Sequence, residues 1–296
     1  MSNLDENKYL DLIQKIIYTG DIRQTRNSIT KSIFGEKLEF DISSSIPFLT
    51  TKKLAWKTVI KELLWFLSGS TDNSILIQQN VNIWNGNASR EYMDSIGFTK
   101  RNINDLGPVY GHQWRHFNAE YIDNHTNYTN NGIDQINNVL NLLKNDPMSR
   151  RILISAWNPS QILQMNLPPC HILAQFYVSI NKDTQEKELS CQMYQRSADV
   201  GLGLPFNIAS YAVLTYIFAK LTNMKPKKLI IVIGDAHIYQ DHENKLIEQI
   251  KRKPYSFPQL IINSNKKYTD INDFKIEDFE IENYQYYDII KMEMIA

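Results

Sequence analysis

Cysteine is almost missing from this 296-residue sequence: Cys170 and Cys191 stand far apart and in no metal-ligand spacing. That excludes the disulfide framework of a small secreted domain. Net charge is missing as well, because 32 Lys and Arg balance 32 Asp and Glu. The whole molecule therefore has no field to draw nucleic acid or an anionic membrane, and an anion site has to be built from local arginines. No apolar run is expected to reach membrane-spanning length, and Met1 to Glu6 is polar and acidic, without a basic and then apolar leader. The expectation is a cytoplasmic protein in a reducing compartment. Asn124-His125-Thr126 and Asn127-Tyr128-Thr129 fit the glycosylation pattern but mean little without such a leader. There is no internal repeat.

What is present is an ordinary globular composition, 43% hydrophobic, and enough length to bury a large core. Leu167-Pro168-Pro169-Cys170 leads into an apolar run, His171 to Val178. Two prolines fix φ and discourage helix, so an extended approach delivers the thiol to the mouth of a strand. A second strand-like run, Leu189 to Tyr194, ends in Gln195-Arg196-Ser197-Ala198-Asp199-Val200-Gly201-Leu202-Gly203-Leu204-Pro205-Phe206-Asn207, read as a polar, glycine-bearing loop. If the two runs are neighbours, Arg196 sits beside Cys170 and favours thiolate over thiol.

Along the chain, Leu10, Ile13 and Ile17 give helical spacing that stops near Gly20. Arg23 and Arg26 follow, each either a solvated loop charge or an anion ligand. Trp56 to Leu67 is helix-compatible and apolar except for Glu62, a carboxylate that either faces solvent or is buried for a purpose. Residues 118–132 read as a polar surface loop, and Ile133, Ile136, Leu140 and Leu143 restore a helix that Asp146-Pro147 stops. Arg150 and Arg151 open a strand, Ile152 to Trp157. A long apolar helix is expected over 207–221, a buried strand over 228–233, and a helix from Asp241. Short strands follow Phe257. The whole reads as one α/β domain over residues 1–296, a mixed sheet flanked by helices.

Some chemistries are disfavoured. His112 and His116 have the spacing of a metal pair, but Gln113 replaces the glutamate base of a zinc hydrolase and no third ligand is evident, so no metal is expected. Gly201-x-Gly203 lacks the third glycine of a dinucleotide fingerprint. Cys170 and His171 diverge on an extended strand, which argues against a protease dyad.

Several segments carry a family resemblance: Phe48 to Lys53, Glu62 to Leu67, Asp105 to Gly111, Asp146 to Trp157, Cys170 with its flanks, Gln195 to Asn207, Gly234 to Tyr239, and Lys291 to Met294. In this order they resemble thymidylate synthase from about residue 20 to the end. The resemblance implies that fold, with sheets packed at a homodimer interface, and reductive methylation of deoxyuridylate (dUMP) to thymidylate (dTMP) with 5,10-methylenetetrahydrofolate as cosubstrate. It implies Cys170 as nucleophile, with Glu62, Tyr110, Asn87 and Arg196 in the chemistry. Arg26, Arg196 and Ser197, with Arg150 and Arg151 from the neighbouring subunit, would take the phosphate. His171, Gln195, Asp199 and Asn207 would line the nucleotide, and His237 and Tyr239 would reach the sugar. The folate would meet Lys52, Lys53, Ile83, Trp84, Asp199, Gly203, Phe206 and the tail to Ala296. Ser28 and Ile29 stand where the family more usually has glycines, so the Arg26 loop departs from its pattern. The near alternative is a pyrimidine hydroxymethylase on the same scaffold, against whose cytosine form the amide of Asn207 speaks. A binding-only alternative, a nucleotide- or RNA-binding regulator, gains nothing from a chain of zero net charge.

Overall fold

Helical spacing, capping and turn chemistry account for most of the local structure. The computed structural model describes residues 3–25 and 28–294. In chain order its elements are α1 (Leu4–Thr19), β1 (Asp21–Gln24), β2 (Ile29–Asp41), α2 (Trp56–Leu67), α3 (Asn73–Gln78), α4 (Arg90–Ser95), α5 (Tyr110–His116), α6 (Gln135–Asn145), β3 (Leu153–Ser155), β4 (His171–Ile180), β5 (Lys187–Asp199), α7 (Gly203–Thr222), β6 (Lys225–Tyr239), α8 (Gln240–Gln249), β7 (Gln259–Ile262) and β8 (Phe279–Glu282). Asn3 caps α1 by accepting from the Glu6 N–H, and Asp134 caps α6 by accepting from the Asn137 N–H.

Among the described residues six strands form one mixed sheet in the order β1-β2-β6-β5-β4-β3. All its pairs are antiparallel except β5 with β6. A parallel pair cannot be closed by a hairpin, and α7 supplies the crossover. By length and composition alone α7 is apolar enough to span a bilayer, contrary to the reading of the sequence, but it is mostly buried and packs on the sheet, with Phe218 and Phe176 ring centroids 5.0 Å apart. A helix apolar all round is a core helix when protein covers it.

Three boundaries differ from the sequence reading. Helix α7 starts at Gly203 rather than Asn207, because Pro205 lies in the first turn, where an N–H has no helical acceptor to lose. The residues from Gln195 to Asp199 are strand, not loop: β6 pairs with them through Asp199↔His237. Strand β6 itself runs on to Tyr239 because β2 lies on its other side, with Thr30 opposite Tyr239.

Residues 118–132 form neither helix nor strand. Their ends are closed by the Phe117↔Ile133 bridge, and Tyr121 ties the loop inward by donating to Asp105 Oδ1 (2.5 Å). One face of β4 and β5 (Ala174, Phe176, Val178, Leu189, Cys191, Met193) is buried in the core. On the other face Tyr177 is 68% exposed, and Leu153 at the sheet edge is also exposed.

Candidate active site

The proline-stiffened approach ends where β4 begins, and β4 and β5 are antiparallel neighbours with His171 opposite Gln195. Cys170 and Arg196 are thereby brought together. The Arg196 N–H donates to the Cys170 carbonyl (2.8 Å), and its side chain donates from Nε to Pro169 O (2.8 Å) and from Nη2 to Pro168 O (2.9 Å). Nη2 lies 3.9 Å from Cys170 Sγ. From the opposite side the Cys170 N–H donates to Tyr110 Oη (2.8 Å). The Cys170 backbone is thus held by the Tyr110 side chain and the Arg196 backbone, from distant parts of the chain.

Burial pushes the Cys170 thiol above its ordinary pKa, and the nearby Arg196 guanidinium offsets only part of that. Arg196 acts toward thiolate, the direction read from the sequence, but desolvation is the larger effect and was not weighed there.

Glu62 is buried on α2 and accepts from Trp84 Nε1 (2.8 Å). Burial raises its pKa to about 7, against the lowering effect of the Trp84 hydrogen bond. A carboxyl so tuned can hold or release a proton near neutrality. Tyr110 stacks on the His171 ring (4.1 Å, 15°) and lies against Phe66 (4.8 Å). His171 Nδ1 meets Tyr211 Oη at 2.9 Å, and burial lowers its pKa to about 3, so the ring is neutral.

On the other side of β5, Gln195 Nε2 donates to Asn207 Oδ1 (2.9 Å) and to Ser197 O (3.0 Å), whereas Gln195 Oε1 is buried without a protein partner. A carbonyl oxygen has two lone pairs, so this bond does not exhaust Asn207. His237 Nδ1 lies 3.1 Å from Asp235 Oδ1, and Asp235 also accepts from Ser32 Oγ (2.9 Å) and Arg23 Nη1 (2.5 Å). The Tyr239 ring lies 5.3 Å from that of His237.

Asp199 Oδ1 accepts from the Gly201 N–H (2.9 Å), shaping the turn into Gly203. Lys52 is buried, donates to Gly201 O, and has its pKa lowered to about 8 by burial, whereas Lys53 is exposed with Nζ 4.9 Å from the Tyr286 ring centroid. Ile83 and Phe206 are half-buried at the rim of the core, and Asn87 is buried. Arg150 and Arg151 are exposed beside β3, where Leu153 pairs with Gln175, ~17 Å along β4 from Cys170 at strand rise. One chain does not bring them to its own thiol. Arg26 and Ala296 lie outside the described residues.

His112 and His116 do share α5, but His112 Nε2 lies 3.1 Å from Ala119 O, and among the described residues no group of three potential metal ligands occurs. Sequence reasoning missed Asp235 as the partner of His237, although its place two residues away on one strand face was a usable signal. It also missed Trp157, whose ring centroid is 5.7 Å from Arg196 Cζ.

A thiol held beside a permanent cation, with a buried carboxyl poised near neutrality, is a constellation suited to covalent catalysis through sulfur. Residues 7–296 match the family profile described as thymidylate synthase. The thymidylate synthase of Saccharomyces cerevisiae is 50% identical over 298 residues, covering 99% of this chain and 97% of the relative. The bifunctional dihydrofolate reductase-thymidylate synthases of Paramecium tetraurelia and Zea mays are each 50% identical over 98% of this chain, which covers 61% and 54% of them. The chain thus spans little more than half the length of these bifunctional relatives. It belongs to the thymidylate synthase family.

Proposed function

We propose that the protein is a thymidylate synthase that converts dUMP to dTMP, consuming 5,10-methylenetetrahydrofolate and releasing dihydrofolate. The observation that carries the reading is the clasp itself: Tyr110 and Arg196 hold the backbone of Cys170 from two sides, and Arg196 Nη2 is 3.9 Å from the sulfur. Cys170 adds through sulfur to C6 of uracil and gives up its proton, breaking the ring's conjugation and making C5 nucleophilic. C5 bonds the folate's methylene carbon as that carbon's bonds to nitrogen break, C5 loses its proton, and the tetrahydrofolate so freed gives a hydride to the methylene, which becomes the methyl group and leaves dihydrofolate. Glu62 moves protons through its neutral-range carboxyl, Tyr110 belongs to the network near C5, and elimination of the sulfur from C6 restores the ring and frees Cys170. Asn207 accepts from N3–H and donates to O4, a pattern uracil matches and cytosine reverses. The unpartnered Gln195 Oε1 beside it supports a polar ligand there. His237, its tautomer set by Asp235, and Tyr239 serve the sugar.

The folate fits the half-buried apolar surfaces of Ile83 and Phe206, the indole of Trp84, and the turn at Asp199 and Gly203. Lys53 is suited to its anionic tail; Lys52 supports the Gly201 turn. Arg196, Ser197 and Arg26 take the phosphate. Arg150 and Arg151 complete it for a second subunit, a role supported by their distance from their own Cys170 and by the uncovered sheet face nearby. Unpaired Cys170 and Cys191 suit the cytoplasm. The names of the relatives favour this synthase over the hydroxymethylase alternative.

Absorbance of dihydrofolate during incubation with dUMP and the reduced folate tests the reading. The wild-type protein forms dihydrofolate and thymidylate in equal amounts, and Cys170→Ala forms neither while still binding dUMP. Absence of dihydrofolate from the wild-type reaction would remove the assignment.

A further inference from the structure

Four residues before the nucleophile, Asn166 is 2% exposed yet fully hydrogen-bonded. Its Nδ2 donates to Asn87 O (2.8 Å) and to Asp105 O (3.0 Å). Its Oδ1 accepts from Arg101 Nη1 (2.5 Å), its backbone N–H donates to Leu106 O (3.0 Å), and its carbonyl accepts from Tyr92 Oη (3.1 Å). The amide orientation is forced, because carbonyls can only accept and a guanidinium can only donate.

These partners lie on the segments that matter to the thiol. Asn87 O marks the backbone of a candidate catalytic residue. Asp105 and Leu106 begin the stretch that ends at Tyr110, whose hydroxyl receives the Cys170 N–H. Asn166 itself opens the run to Pro168 and Pro169, whose carbonyls hold Arg196. We propose that Asn166 is a positioning residue: its carboxamide joins the backbones carrying Asn87, Tyr110 and Cys170, and so sets where the sulfur stands relative to the ring it attacks. The proposal rests on the synthase reading for its chemistry, but the joint is a property of this chain's own contacts.

Small displacements at a nucleophile reduce rate more than affinity, by about 10- to 100-fold. The test uses Asn166→Ala and Asn166→Asp. The aspartate keeps the volume and an acceptor for Arg101 but loses both N–H donors. For each, turnover, dUMP affinity by calorimetry, near-ultraviolet circular dichroism, and the rate of Cys170 alkylation by iodoacetamide are compared with wild type, with Cys170→Ala as the blank. The expected result is a kcat at least fivefold lower with dUMP affinity within threefold and native dichroism. A kcat changed less than fivefold, or lost only in step with dUMP affinity, overturns the proposal, as does failure of both variants to fold. If wild type itself does not turn over, the synthase reading falls and alkylation decides the joint. A change of more than fivefold in either variant sustains it, and a smaller one overturns it.

Discussion

At the scale of single residues, Glu62 would join stability to catalysis in the proposed reaction. Its pKa rises from 4.5 to about 7 on folding because burial penalises the ionised form. A raised carboxyl holds its proton more tightly in the native state, so its contribution is fully present below about pH 4.5 and is lost as pH climbs through about 7. The loss is on the order of 3 kcal/mol. Glu62→Gln keeps an oxygen for Trp84 Nε1 but cannot ionise. Urea unfolding should therefore show the variant gaining on wild type between pH 5 and pH 8, while kcat falls by about 100-fold or more for want of a proton carrier. Equal pH slopes for the two proteins would refute the assignment of that titration to Glu62.

At the scale of elements, the first helix holds the loop that leads into α2. Glu6 on α1 is buried, and its carboxylate accepts from Thr50 N–H (2.9 Å), Thr51 N–H (2.7 Å), and both threonine hydroxyls (2.6 and 2.7 Å). Glu6→Ala strands these donors and should lower stability by roughly 2–4 kcal/mol, read as a lower urea midpoint. It should also loosen Lys52, the next residue, and raise KM for the folate. This clamp was not legible in the sequence, because Glu6 on the page is an ordinary acidic residue of a first turn and its partners are more than forty residues away. Helices α1, α2 and α6 were legible, since spacing such as Ile136, Leu140, Leu143 is local information. Strand limits were not. Nothing between Gly234 and Tyr239 announces strand, and the run is extended because β2 and β5 both offer it backbone partners. The site divides likewise. Cys170 and its prolines stand out in the chain, whereas Tyr110 beneath its N–H depends on a contact across sixty residues.

At the scale of the whole molecule, the proposed shared site requires a second subunit, and the uncovered face of β4 and β5 is where it would pack. Tyr177 stands exposed between Gln175 and Ser179, and a cavity of about 440 Å³ opens beside it. A second, of about 580 Å³, is lined by Arg151 and Leu153. Tyr177→Glu places a charge in the centre of this face, and sedimentation should show wild type at twice the mass of the variant. Turnover should fall at least tenfold with the loss of the dimer, and a wild-type protein that sediments as a monomer would refute the shared site. The sheet's strand order also bears on biosynthesis. Phe40 on β2 pairs with Leu229 on β6, about 190 residues downstream. At about 5–20 residues per second a ribosome takes roughly 10–40 s to make the missing partner. Throughout that interval β2 has one edge without its mate, and neither β5 nor the nucleophile's surroundings can be completed. The nascent chain therefore carries an open β2 edge, a template for pairing with other chains, until its last third emerges.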